Sequence, residues 1–390
     1  MSKNKYRIPL FCLVTTLYWF ALYAYVPYLS PYASSIGASY KMVGLIVGSY
    51  GFTQMLLRIP LGIVSDTLNR RKIFVIGGVL LGFVSSMGMA LFPYPGWLLV
   101  FRSLAGASAA AWVAYSVLFS SYFEDHEAPK AIGIINSFTS LGQALAMAFG
   151  MIAAQFFRQE ITFWVAAIGG AIGLMASLWV VDKPVEDRKP LKIHQLLEVG
   201  KDLQLLIVSG LAILSQLVTF GTVYGFTPVV ANELGASNFE LGLLTLLSTL
   251  PVVFASAFSG SVLVKHWGEG KTIAVGFLIS ALACIAIPYA GNMLILYITQ
   301  IIGGFGRGIL FPLLMGLSIK AVPGERRATA MGFFQAIYGL GMFMGPVIVG
   351  FFGDTIGMVW GFWATGMMSF AGAAITAAIT RKAGQGVSIS

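Results

Sequence analysis

Charged residues are scarce in this chain. Of 390 residues only 10% are Asp, Glu, Lys or Arg, and 57% are apolar; a soluble domain carries about 25% charged and about 45–50% apolar residues. A water-soluble fold would lack the polar surface to meet its solvent, so most of this chain is solvated by lipid. Cysteine is nearly absent. Cys12 and Cys284 both lie in apolar runs, which excludes a disulfide framework and a cysteine metal site. The three histidines, His126, His194 and His266, fall in separate short polar stretches and form no ligand cluster. A Gly-Lys-Thr occurs at 270–272, but Lys265 stands where the leading glycine of a phosphate-binding loop is needed, and glycine-rich runs such as 303–308 and 339–345 sit inside apolar stretches. They suit close approach of membrane helices and not a phosphate-cradling loop. No cofactor is implied, and drive by ATP is not expected.

What the chain has is long apolar runs. A spanning helix needs about 20 mostly apolar residues, and twelve stretches qualify, near 8–32, 42–65, 73–93, 97–120, 130–156, 161–181, 203–231, 240–264, 272–290, 293–319, 328–352 and 357–380. They do not alternate apolar and polar residues as barrel strands do, so the class is an all-α membrane protein with twelve transmembrane helices. The first run follows MSKNKYR, but it is too long for a signal-peptide core and no small-residue cleavage site closes it; it is expected to be the first span.

The bases that do occur are sorted. With a cytoplasmic N-terminus, inner loops and tails hold 19 of the 24 Lys and Arg, outer loops hold only Lys41 and Arg158, and three lie inside spans. The positive-inside rule then puts both chain ends in the cytoplasm of a multi-pass protein of the inner or plasma membrane. It also explains the net charge of +9 without a nucleic-acid partner, since the bases meet anionic lipid heads. The one long polar segment, around Asp182 to Asp202, divides the chain into an N-terminal bundle (1–182), a cytoplasmic linker (183–202), a C-terminal bundle (203–382) and a short tail (383–390). Residues 191–199 are expected to form an amphipathic helix on the membrane surface.

The two bundles repeat one another. At a shift of 198, IGASYKMVG (36–44) meets LGASNFELG (234–242), Gly62 meets Gly260, and FRSLAG (101–106) meets TQIIGG (299–304). One further residue of shift aligns IGIINSFTSLG (132–142) with MGFFQAIYGLG (331–341). Two six-helix halves of parallel orientation follow, pseudo-symmetric about an axis along the membrane normal. Transporters built so bind substrate between the halves, near the bilayer midplane.

The stretch RIPLGIVSDTLNRRK (58–72) packs an acid and three consecutive bases into one turn between spans two and three. With the six-plus-six repeat, this turn resembles the signature of the major facilitator superfamily, Gly-x-x-x-Asp-(Arg/Lys)-x-Gly-(Arg/Lys)-(Arg/Lys), through Gly62, Asp66, Arg70 and Arg71. Thr67 stands where the family has a base and Asn69 where it has glycine; Asn tolerates the left-handed backbone such a turn requires. A second family motif, Arg then Gly four residues on, matches Arg102 and Gly106. The antiporter signature of span five is blurred, with Ala146 and Met147 in place of Gly-Pro; its proline form stands on span eleven at Gly341, Gly345, Pro346 and Gly350. The second copy of the charged turn, 260–271, has drifted. The resemblance implies secondary transport by alternating access.

Charges inside spans are costly and mark function by default. The clearest are Arg102 and Arg307; no Asp, Glu, Lys or His falls deep within a span. Arginine does not deprotonate, so a proton can couple only through acids at helix ends or through the substrate. The positive interior favours a substrate with an anionic group. The alternative role of both arginines is to tie helices together. Arg58 is assigned to the gate turn with Gly62, Asp66, Arg70 and Arg71, or snorkels to the interface. Asp66 is placed to meet the start of span eleven and close the inner gate. Tyr18, Tyr25 and Tyr32 recur at seven-residue spacing on span one; Tyr32 fits an interfacial belt, while Tyr18 and Trp19 lie mid-span and are assigned to the cavity. Trp112, Asn136, Gln143, Gln216, Tyr224, Gln300, Gln335 and Tyr338 complete the candidate lining, with helix-to-helix bonding as their other role. The reading is a monomeric secondary carrier exporting a small organic solute, with a proton or another ion as a possible partner. The competing reading is uptake of a small organic anion through Arg102 and Arg307. A membrane receptor would be expected to carry a soluble output domain, and the longest loop is only about 20 residues.

Overall fold

A computed structural model describes residues 6–124, 127–183, 198, 200–320, 322 and 326–384; the expected surface helix at 191–199 falls outside these but for Glu198. Among the described residues there is no strand. Twelve crossings follow in order: α1 (Arg7–Ser35), α2 (Tyr40–Leu68), α3 (Arg71–Leu91), α4 (Pro95–Ser120), α5 (Ala128–Phe156), α6 (Ile161–Ser177), α7 (Leu203–Glu233), α8 (Asn238–Phe258), α9 (Glu269–Tyr289), α10 (Met293–Lys320), α11 (Arg327–Thr355) and α12 (Met358–Gly384). Eleven are long and apolar enough to cross a bilayer, and α6 is shorter at 17 residues, about 26 Å at 1.5 Å per residue. An even number of crossings returns both ends to one face, here called the terminal face; the opposite one is the distal face.

The repeat shows in the caps. Ser39 and Ser237, equivalent in the two halves, both cap the second helix of their half by accepting a backbone N–H, from Met42 and Glu240. Gly37 and Gly235 precede them with φ of +90° and +82°, a backbone that a side chain would oppose. Asn69 closes α2 with φ of 47°, the left-handed conformation its sequence position required. Gly268, in the drifted second copy of that turn, also has positive φ.

Two of the spans expected as single helices are broken beside a proline. α1 interrupts at Ala24–Tyr25 and α7 becomes a π-helix over Thr222–Phe226. Each break precedes a proline, Pro27 and Pro228, which cannot donate to the carbonyl four residues back: that of Tyr23 in α1 and Tyr224 in α7. The Tyr224 carbonyl instead accepts the Ser30 hydroxyl of the other half at 3.4 Å. α4 is likewise interrupted at Ala111.

The halves meet along their distal parts. α2 lies against α11, where a Cβ on Gly44 or Gly48 would strike the carbonyl of Pro346 or Phe343 at 2.4 and 2.7 Å. At the distal end the Asp354 carboxylate accepts the N–H groups of Tyr40 and Lys41, 2.9 and 2.8 Å, and so caps the start of α2 from the opposite half. The Tyr40 hydroxyl donates to Glu233 at 2.8 Å. α5 meets α8 through Asn238, which donates to the Ala154 carbonyl and accepts from Gln159. Among the described residues, every hydrogen bond between the halves lies in this distal part or at mid-span, and none is described toward the terminal face. The protein is thus held closed at the distal face, and the terminal face is the one free to open.

Candidate functional site

The breaks in α1 and α7 put two aromatic side chains edge to face where the halves meet. Tyr23 and Tyr224 cross the boundary between the halves, ring centroids 6.2 Å apart and nearly perpendicular. Around them Trp19 lies 5.7 Å from Tyr23 and 5.4 Å from Trp112, Phe220 lies 5.1 Å from Tyr224, and Tyr50 stacks on Phe220 at 6.2 Å. Tyr23, Trp112, Tyr224 and Tyr338 are half-buried, as side chains on the wall of a cavity are.

Two guanidiniums stand behind this aromatic floor. Arg102 of α4 is 3% exposed. It donates to the Tyr25 hydroxyl at 2.9 Å and lies 4.3 Å from the Tyr50 ring centroid, a cation–π contact; its Nε has no partner. Arg307 of α10, 7% exposed, donates to the Ser248 carbonyl at 3.2 Å. Tyr23 and Tyr50 lie within the field of Arg102, and Tyr224 within that of Arg307. Every described carboxylate lies at a helix end or in a loop. The two charges therefore act in a region of low dielectric with no acidic counter-ion from the described chain, where an anion gains far more than in water.

Arg58, assigned to the gate turn or the interface, does not snorkel: it is 3% exposed, with Nε and Nη1 unpartnered. Tyr18 is packed inside the N-terminal half, stacked on Tyr115 at 4.6 Å and donating to the Ser108 carbonyl at 2.5 Å, so it faces away from the cavity. Tyr32 is no belt residue; it is buried with its ring 5.2 Å from Phe163. Gln300 is buried beside Thr299. Gln143, Gln216 and Gln335 are half-buried and Asn136 is exposed, and none touches the aromatic floor in a described contact. Gly62 faces Val113 of α4. Asp66 accepts from Arg71 at 2.8 Å, Arg71 also donates to Asn69, and Lys72 reaches the Leu178 carbonyl; Arg70 is exposed. In the described contacts Asp66 is held by Arg71 of its own turn, and Lys72 ties the turn to the end of α6. Residues absent from the sequence-based site are Tyr23, Tyr50 and Phe220. Tyr23 had its signal in the Trp19-to-Tyr23 spacing, whereas Tyr50 lies among glycines and small residues that advertise packing alone. A separate hollow of about 370 Å³, bordered by Pro312, Gly316, Arg327 and the Lys320–Glu269 ion pair, belongs to the C-terminal half only.

Comparison with known proteins agrees with this architecture. The family model described as Major Facilitator Superfamily matches residues 11–229 and again 205–386. The inner membrane transport protein YajR of Escherichia coli is 29% identical over 169 residues, 43% of this chain but only 37% of that protein's length. The uncharacterized MFS-type transporter MJ1560 of Methanocaldococcus jannaschii is 24% identical over 347 residues, covering 85% of this chain and 87% of the other. Among solved structures, a bacterial homolog of the human lysosomal transporter Spinster, in an inward-facing and unoccupied conformation, superposes with a TM-score of 0.80 at 17% identity over 98% of both chains. The human organic anion transporter MFSD10 gives 0.67 at 16% identity, over 96% of this chain and 100% of the other.

Proposed function

This chain belongs to the Major Facilitator Superfamily, and on that premise we propose that it exports a small organic anion, driven by the membrane potential. Secondary transport of a small molecule through a multi-pass membrane protein is the family's business. The observation that supports an anion is the pair of buried guanidiniums, Arg102 and Arg307, one from each half, behind a shared aromatic floor with every described carboxylate at the periphery. Binding between two cations from two halves also supplies the differential contact that alternating access needs: the anion favours states in which both halves approach it.

Direction follows from the same charge pattern. No described acid or histidine lies in the cavity to carry a coupled proton. A net negative substrate moves toward the positive side of the membrane, and one charge across 100 mV is worth about 2.3 kcal/mol, roughly a 50-fold concentration ratio. With the cell interior negative, that force points outward. The Lys and Arg distribution supports assigning the terminal face to the cytoplasm, so a cavity opening at that face would load from inside. Plasma-membrane residence and a monomeric carrier complete the proposal. The test uses purified protein in liposomes with a substrate found by thermal shift against anionic and neutral solutes, since ligands stabilise the fold that binds them. A potassium diffusion potential should drive the anion out of vesicles made negative inside and into vesicles made positive inside. Flux that ignores the potential and follows a pH gradient would overturn it.

A further inference from the structure

We infer that the anion carries a planar aromatic ring, which the Trp19–Tyr23–Phe220–Tyr224 cluster recognises by its face. This rests on the anion reading and adds the body of the molecule to its charge. The cluster joins both halves, with successive centroid separations of 5.7, 6.2 and 5.1 Å and the Tyr23–Tyr224 planes at 86°. Such spacings and angles are those in which aromatic rings attract one another beyond the area they bury. Tyr23 and Tyr224, at the boundary, are half-buried and so in part available to a ligand, Trp19 and Phe220 are buried against them, and Trp112 extends the wall on one side.

Aromatic cages commonly take cations, but here the cationic role is filled from within the protein. Arg102 already occupies the faces of Tyr25 and Tyr50 at 5.4 and 4.3 Å, and Arg307 of the other half is a second buried guanidinium. A second cation would be repelled. A ring with an acidic substituent satisfies both elements: its plane meets the aromatic faces and its charge lies in the field of the guanidiniums. A saturated ring of the same size and charge would keep the second contribution and lose the first.

The experiment is isothermal titration of the full-length protein in nanodiscs with benzoate, cyclohexanecarboxylate and benzyl alcohol. The two acids are both ionised at neutral pH and differ only in the ring; benzyl alcohol keeps the ring and drops the charge. Benzoate should bind about fivefold tighter than cyclohexanecarboxylate, the scale of one aromatic pair, and tighter than benzyl alcohol. Tyr224→Leu should bring the two acids together while Tyr224→Phe keeps them apart; Tyr23→Leu, checked for an unchanged unfolding midpoint, serves where Tyr224→Leu fails to fold. Equal binding of the two acids, both above benzyl alcohol, overturns the ring and leaves the anion. Benzoate and benzyl alcohol binding equally, both above cyclohexanecarboxylate, leaves the ring and overturns the anion. Absence of binding by all three overturns the ring.

Discussion

Arg102 shows how much one side chain does here. Its guanidinium ties α4 to Tyr25 of α1 and lies over Tyr50 of α2, so it serves as strut and charge together. Arg102→Ala is expected to reduce flux at least tenfold with expression unchanged, measured in proteoliposomes; wild-type flux would assign the residue to packing alone. Gly106 supports that arrangement one turn along. A Cβ there would lie 2.3 Å from the Tyr50 carbonyl, backbone that cannot swing aside. Gly106→Val should therefore part α4 from α2 and cost about 1–3 kcal/mol, read as a lower unfolding midpoint in detergent. Several such residues were legible before the fold was known. Asn69 was expected to accept the left-handed turn and does; Arg102 and Arg307 were marked by the rarity of charge in apolar runs. Tyr18 and Tyr32 were not legible in the same way. Seven-residue spacing reports that they share a stripe of α1, but not whether that stripe faces the cavity, the lipid or α4. Only the packing of Tyr115 and Phe163 against them decides it.

Helices carry the gates. On the distal face Asp354, at the end of α11, caps the start of α2, where a carboxylate meets the positive end of the helix dipole. Asp354→Ala removes two charge-assisted hydrogen bonds across the halves. It should shift the population toward a distally open state, seen as a longer spin-label distance between the distal ends of α2 and α11; an unchanged distance would show that Asn238 and Tyr40 close this face without it. The expectation that Asp66 at the end of α2 meets the start of α11 is the same device with the helices exchanged. In the described contacts Asp66 is held by Arg71 instead. The extents of the helices followed from apolar run length, whereas the breaks in α1 and α7 did not. Pro27 and Pro228 were visible, but many membrane helices absorb a proline without breaking. Whether the freed carbonyl finds a partner, as that of Tyr224 finds Ser30, is settled by the other half.

At the scale of the whole molecule, the two-half frame was legible because duplication leaves a constant shift in the sequence. The state of the frame was not, since one sequence supports states differing by only a few kcal/mol and composition is the same in each. The distal cap bears on that balance from an unexpected side. Asp354 is solvent-exposed, as is the Lys41 whose N–H it holds on the exposed rim. Exposed charge interactions weaken as added salt shortens the screening length, about 10 Å at 0.1 M and about 3 Å at 1 M. The tyrosine and guanidinium cluster, buried below, is shielded from that solution. Raising salt on the distal side alone should therefore lengthen the α2–α11 distal distance and leave ligand affinity in the terminal-open state untouched. On that expectation a carrier of this build would sense the ionic strength of the compartment it faces away from, and its turnover would be set partly by a medium its cargo has not yet reached.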